Sequence, residues 1–288
     1  MSERRKRFSI QARREGSQIE RSADELIARR WVRLLAGVHS ADRAEAALRL
    51  AHYPFPFVVE ALCKATTDRD ARVREQAVRS LGLLRCVAAV ELLGRALADP
   101  EMRVRCAALA ALAELRTEAV AGVLADALEA ELRLAAEPRP VSRQGFFARF
   151  RDSPFNPERS AAFRVDLVLE LARRVTPAAF PTLCRAIHDP ELEVRLEAAR
   201  EVGRLAATRT DLPLEPALAA LRRRSAAWRL PERRIIRKAL DQVEQALGIA
   251  GTTDLPLPAT APGAESLPLP GTPPTADPTA LPRPASPE

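Results

Sequence analysis

Asp99-Pro100-Glu101-Met102-Arg103-Val104-Arg105-Cys106-Ala107-Ala108-Leu109-Ala110-Ala111-Leu112 decides the fold, because its landmarks recur along the chain at a fixed interval. Val104-Arg105 is followed by Ala113 at the ninth position after the valine, and Val73-Arg74 with Gly82 repeats this arrangement thirty-one positions earlier. Val194-Arg195 with Gly203 repeats it again, and Phe163-Arg164 with Ala172 fits the same frame, one such interval before Val194. From Val104 to Phe163 the step is longer by twenty-eight positions, so an interruption separates two regular blocks. A second landmark keeps step with the first: Leu62-Cys63-Lys64-Ala65, Leu93-Gly94-Arg95-Ala96 and Leu183-Cys184-Arg185-Ala186 each begin six residues before a turn aspartate, Asp68, Asp99 or Asp189. In Asp99-Pro100-Glu101 and Asp189-Pro190-Glu191 the aspartate is expected to cap a helix, with proline at the first helical position and glutamate at its positive end. The small residue in each copy is expected to let the second helix of the pair cross closely. A helical pair of this size cannot bury its apolar face alone, and stacking neighbours completes the core.

Reading outward, apolar residues recur at helical spacing in pairs: 41–52 with 56–67, 70–82 with 86–98, 100–114 with 117–130, 159–174 with 177–188, and 190–206 with 213–224. Tyr53-Pro54-Phe55-Pro56 is a turn, since proline is excluded from helix interiors. A last helix is expected over about 231–247, opened by Pro231-Glu232 and ended by Gly248. The resulting class is all-α: a solenoid of stacked antiparallel helix pairs over 17–249, interrupted by a loop at about 131–158. Residues 1–16 read as a flexible basic arm. Residues 250–288 hold eleven of the 24 prolines and read as a disordered Pro-rich tail.

Composition agrees. Hydrophobic residues make up 47% but aromatics only 4%, so Ala and Leu supply an apolar mass suited to close-packed helices. The net charge of +7 is carried almost wholly by arginine, Lys6, Lys64 and Lys238 being the only lysines. Arg, Ala and Pro enrichment together fit a GC-rich genome, which weakens the charge as a sign of nucleic-acid binding. No stretch stays apolar long enough for a membrane span, and the N-terminal region lacks a signal-peptide pattern, so a cytoplasmic protein is expected.

At the repeat residues quoted above, the chain resembles the HEAT-repeat family, in the short-repeat variety also found in bilin lyases. The resemblance covers roughly 41–206. It implies a structural ladder in which Arg74, Arg105 and Arg195, and in the interrupted copy Arg164, reach the turn aspartates Asp68, Asp99 and Asp189 of neighbouring repeats. Within such a family, function is not fixed by fold.

Residues that carry chemistry are sparse. His39, His52 and His188 share no metal-ligand spacing with each other or with Cys63, Cys86, Cys106 and Cys184, and the cysteines lack a CxxC pair. No catalytic set, cofactor motif or phosphate loop stands out, so the expected role is a non-catalytic interaction module without cofactor. Besides the basic arm and the Pro-rich tail, two features exceed what stacking requires. The interruption contains Phe146, Phe147, Arg149 and Phe150, residue types that dominate binding hot spots. Late in the solenoid, Arg222, Arg223, Arg224, Arg233 and Arg234 surround Trp228. That cluster fits an acidic protein surface first and a nucleic-acid backbone second, because no nucleic-acid motif accompanies it. A bilin-lyase-like subunit is a further alternative, carried only by the repeat resemblance.

Overall fold

Each stretch that combines helical apolar spacing with a turn signal forms a helix in the computed structural model, which describes residues 22–136, 157–225 and 230–249. The first helix, α1, covers 22–35. The next four pairs in chain order are α2 (Ser40–Leu50) with α3 (Pro56–Ala65), α4 (Ala71–Leu83) with α5 (Val90–Ala96), α6 (Met102–Glu114) with α7 (Ala119–Ala136), and α8 (Pro157–Arg174) with α9 (Phe180–Arg185). They are followed by α10 (Leu192–Thr208) with α11 (Glu215–Ser225), and by α12 (Leu230–Ala246). Single 3-10 turns, Val87–Ala89 and Ala186–His188, adjoin α5 and α9. No strand occurs among the described residues. No helix among them is long and apolar enough to cross a membrane.

First helices pack on first helices. α2 lies on α4, α4 on α6, α8 on α10 and α10 on α12, while α5, α7, α9 and α11 make a second layer. The core between the layers is leucine and alanine: Leu50, Leu62, Leu81, Leu93, Leu112 and Leu124 are fully buried, as are Ala47, Ala77 and Ala108. Each leucine side chain so buried contributes roughly 1.5–3 kcal/mol relative to exposure.

The structure corrects two expectations about the repeat. Turn aspartates do not cap the helices. α6 starts at Met102 with Glu101 as its cap residue, and α10 starts at Leu192 after Glu191, so Pro100 and Pro190 lie in the turn. The aspartates sit two residues before the cap, and each accepts from the backbone N–H two residues on: Asp68 from Asp70 at 2.8 Å, Asp99 from Glu101 at 2.9 Å and Asp189 from Glu191 at 2.7 Å. That bond folds the turn into the entry geometry of the helix. The small residues, in turn, do not admit the second helix of the same pair. A β-carbon on Gly82 would stand 2.7 Å from both Cα and Cβ of Ala111, on the first helix of the next repeat. On Gly203 it would stand 2.9 Å from the Cα of Ala239 on α12. Close approach is therefore a property of the first-helix layer.

At the interruption that layer thins. Of the helices before it, α8 leans on α7 and touches α6 little. α7 is not ended by a turn near residue 130, as the other second helices are, but continues to Ala136. Arg174, on the last turn of α8, bridges the gap by donating to the carbonyls of Leu112, Ala113 and Leu115 at the end of α6. A cation there satisfies orphan carbonyls and the negative end of the helix dipole.

Gly82→Val should lower stability by about 1–3 kcal/mol, because the added atoms meet backbone that cannot swing away. Gly122 has nothing within 4 Å of its absent β-carbon, so Gly122→Ala on α7 should raise stability by roughly 0.5–1 kcal/mol. Urea unfolding of both variants checks the pair; equal effects would mean that the α4–α6 seam is not tight.

Candidate functional site

Five arginines occupy one register on successive first helices: Arg43, Arg74, Arg105, Arg164 and Arg195. In Arg43, Arg74, Arg105 and Arg195 the guanidinium group points down to the turn that precedes its own helix. Nη1 of Arg43 donates to the carbonyls of Gly37 and Val38, that of Arg74 to Asp68 and Arg69, that of Arg105 to Asp99 and Pro100, and that of Arg195 to Asp189 and Pro190. The opposite edge, Nε with Nη2, faces the next turn. It holds a carboxylate bidentately in three rungs: Arg43 on Asp68 at 2.8 and 2.8 Å, Arg74 on Asp99 at 2.7 and 2.9 Å, and Arg164 on Asp189 at 2.7 and 3.0 Å. In each the aspartate lies 25 residues after the arginine. Such a fork-to-carboxylate pair is directional as well as charge-assisted. The Arg43 bond, first, holds the Asp68 carboxyl below its ordinary value, against the opposing effect of burial.

The structure thus places Arg74, Asp68, Asp99 and Asp189 in direct side-chain pairs and adds Arg43, which the Val-Arg motif misses because Asp42 precedes it. A search for an arginine one repeat interval before Arg74, with Asp68 lying 25 residues after it, would have located this rung. Two rungs differ. Arg195 pairs with Glu232 on α12 rather than with a turn aspartate. Arg105 has no carboxylate among the described residues: position 130 is Ala130, inside α7, where the other rungs have their turn. Its Nε is buried without a partner among those residues, its Nη2 meets the Met102 sulfur at 3.6 Å, and its guanidinium lies 5.5 Å from the Phe163 ring centre. The expectation that Arg105 reaches a turn aspartate is corrected to this extent: it binds the backbone carbonyl of Asp99, not a carboxylate.

Of the expected binding residues, Phe146, Phe147, Arg149, Phe150 and Trp228 lie outside the described residues. The basic cluster divides. Arg222 donates to Glu244 at 2.9 Å and Arg224 to Glu232 at 2.8 Å, and both glutamates are buried. Burial opposes the ionisation of Glu232, and the hydrogen bonds from Arg195 and Arg224 outweigh it, so its carboxyl sits below its ordinary value. These two arginines therefore fasten α11 to α12. Arg223, Arg233 and Arg234 are exposed, as is Lys238, and none of the four has an ion-pair partner among the described residues. On α10, by contrast, Arg200 pairs with Glu197 and Arg204 with Glu201. Arg233 lies in the first turn of α12, where the helix dipole disfavours a cation.

The candidate nucleophiles are ordinary thiols. Burial pushes Cys184 up to about 12 and also raises Cys63 and Cys106, so none is a thiolate near neutral pH. His188 is lowered by burial and by Arg223 and Arg224 nearby, which keeps it neutral. No cluster of three metal-ligating side chains occurs among the described residues.

Residues 59–137 match the family model for HEAT repeats. No curated protein matches the sequence. Among solved structures it is similar to an engineered protein, with 18% identity over 76% of this chain and 97% of that one at a TM-score of 0.45. A designed armadillo repeat protein in complex with the peptide (KR)4 is 16% identical over 74% of this chain and 98% of that one, at 0.44. The CpcE–CpcF complex of phycocyanin lyase from Nostoc sp. PCC7120 is 19% identical over 74% and 93%, at 0.35.

Arg164 and Asp189 are essentially buried, with side chains 3% and 0% exposed, so Arg164→Met should cost about 3–5 kcal/mol by stranding the carboxylate. Arg105→Met strands no carboxylate and should cost less than half as much, measured by urea unfolding. The acid limb gives a second check. Asp68 has a folded pKa below its unfolded value of about 3.9, so its contribution is present above that pH and lost as pH falls through the folded value. Asp68→Asn should therefore lose less stability than the parent between about pH 4 and pH 2; parallel profiles would mean the clasp is not ionic.

Proposed function

We propose that the protein is a non-catalytic interaction module whose HEAT-repeat stack carries an acid-binding surface at its C-terminal end, and that the ligand is a partner protein. The observation that carries this is the placement of Arg233 and Arg234. They are the fourth and fifth residues of α12, close to the end that favours anions, they are exposed, and no carboxylate among the described residues forms an ion pair with them. Helix stability alone would favour glutamate in that turn. Arg223 and Lys238 extend the exposed positive charge, while Arg222 and Arg224 hold the two helices that present it. Cations so arranged steer an acidic protein surface into contact and fix its orientation. A repeat stack suits this role because its helices form a rigid support whose surface residues are free of packing duties.

The test is a double charge reversal, Arg233→Glu with Arg234→Glu. Thermal and urea midpoints should hold or rise, since the acidic residues complement the helix dipole. Affinity for the partner protein, isolated on immobilised full-length chain from the native cell, should fall at least tenfold, about 1.4 kcal/mol. Duplex DNA binding with a steep salt slope, abolished by the same reversal, would move the surface to nucleic acid. Full affinity for the isolated protein after reversal would sink the reading.

A further inference from the structure

Arg105 stands out when its rung is laid over the other four. In Arg43, Arg74 and Arg195, Nη1 is satisfied by the two carbonyls five and six residues before the arginine. Arg105 keeps both, from Asp99 at 2.8 Å and Pro100 at 3.3 Å. The guanidinium is therefore held in the same orientation as in Arg43 and Arg74. What differs is the Nε–Nη2 edge. In Arg43, Arg74 and Arg164 that edge grips an aspartate with two bonds; in Arg195 the Nε is buried and unbonded, as in Arg105, but Nη2 holds the Glu232 carboxylate, so Arg105 alone of the five has no carboxylate among the described residues. In Arg105 the Nε is buried and unbonded among the described residues, and Nη2 has a thioether sulfur, a weak acceptor. The residue is 8% exposed, so solvent does not replace the missing partner. Phe163 stacks against the guanidinium and offsets part of the desolvation through its ring quadrupole. A ring on the face leaves the donors at the edge unmet.

We infer that the Nε–Nη2 edge of Arg105 is a preformed receptor for one carboxylate, delivered by an aspartate or glutamate side chain of a partner protein. The edge lies at the weakest seam of the first-helix layer, where a carboxylate reaches it by parting two loosely packed helices. Arg105 belongs to α6 and Phe163 to α8, and these are the two successive first helices that pack least against each other. For Arg43, Arg74 and Arg164 the equivalent carboxylate sits on a turn; for Arg105 no described residue supplies one. A buried, charged donor pair with its geometry fixed by two carbonyls loses little freedom on binding, and the carboxylate geometry is set by the fork. This receptor is separate from the exposed cations of α11 and α12, and its binding differs in kind: exposed charges weaken steeply with salt, a buried pair little.

The side-chain Nε–H resonances of the full-length protein report the edge directly, and that of Arg105 is assigned by its loss in Arg105→Met. Propionate should shift this resonance saturably while the Arg164 resonance stays in place, and propionamide, the uncharged analogue, should leave both unmoved. Arg105→Lys keeps the charge but not the fork and should bind propionate at least about tenfold more weakly, read by the induced shift of neighbouring backbone amides. Two peptides separate the sources of the carboxylate: hexaglutamate with both ends blocked, and hexaglutamine with a free C-terminus. A shift with the first supports a side-chain carboxylate. A shift with the second alone overturns the assignment to aspartate or glutamate. If neither propionate nor either peptide moves the Arg105 resonance, the edge is not a receptor. The same holds if the shift collapses between about 0.05 and 0.5 M salt, as binding to the exposed cluster would.

Discussion

The structure hangs on a guanidinium that holds two turns at once. Arg74 shows the arrangement: rooted in a first helix, it fastens the turn before that helix through Nη1 and reaches the next turn through Nε and Nη2. The aspartate it grips is not passive. One of its oxygens also accepts the N–H two residues on, and so sets the chain direction into the following helix. A repeat is thereby located against its neighbour by a rigid fork on a rigid carboxylate, rather than by apolar contact alone. Apolar burial supplies most of the driving force in such a stack, but it is non-directional. Leucine and alanine on two helices can slide past one another, and the fork cannot.

From this follow the dimensions of the repeat. The carboxylate lies 25 residues after its arginine, and the next arginine follows six positions later, so second helices have to be short. α3 has ten residues and α5 seven, with a 3-10 turn taking up the remainder. Where a second helix runs on, as α7 does, the turn is lost and with it the carboxylate. The stack compensates with different parts: Phe163 on the face of Arg105, and Arg174 on the last carbonyls of α6. At the other end Glu232 takes the place of a turn aspartate and serves Arg195 and Arg224 together.

The arginines of this chain therefore do several kinds of work, and the net charge of +7 is a poor measure of what is available for binding. Those of the ladder are largely out of solvent. Many on the outer faces are neutralised by glutamates three or four residues away, as at Arg49, Arg133 and Arg204. Such exposed pairs add little stability, but they cancel the field. Among the described residues, a group of exposed cations on α11 and α12 at the end of the stack has no ion pair, and on α6 the buried guanidinium of Arg105 has no carboxylate.

The sequence by itself determined the helices, their pairing and the register. The repeat interval, the turn signals and the alternation of apolar and polar positions are local or periodic, and a periodic pattern survives being read without coordinates. It also marked Arg74, Asp68, Asp99 and Asp189, since they recur in step. It did not determine which helices touch. Gly82 looked like a seat for the second helix of its own pair and is instead the seat of Ala111 in the next repeat, because small residues record close approach but not its direction. Nor could Arg222 and Arg224 be told from Arg223 in the run that contains all three. Only the packing of α12 brings Glu244 and Glu232 under the first two and leaves the third exposed. The unmatched edge of Arg105 is likewise invisible in one dimension: its motif is intact, and only the closure of the preceding and following rungs in three dimensions shows that a carboxylate belongs there.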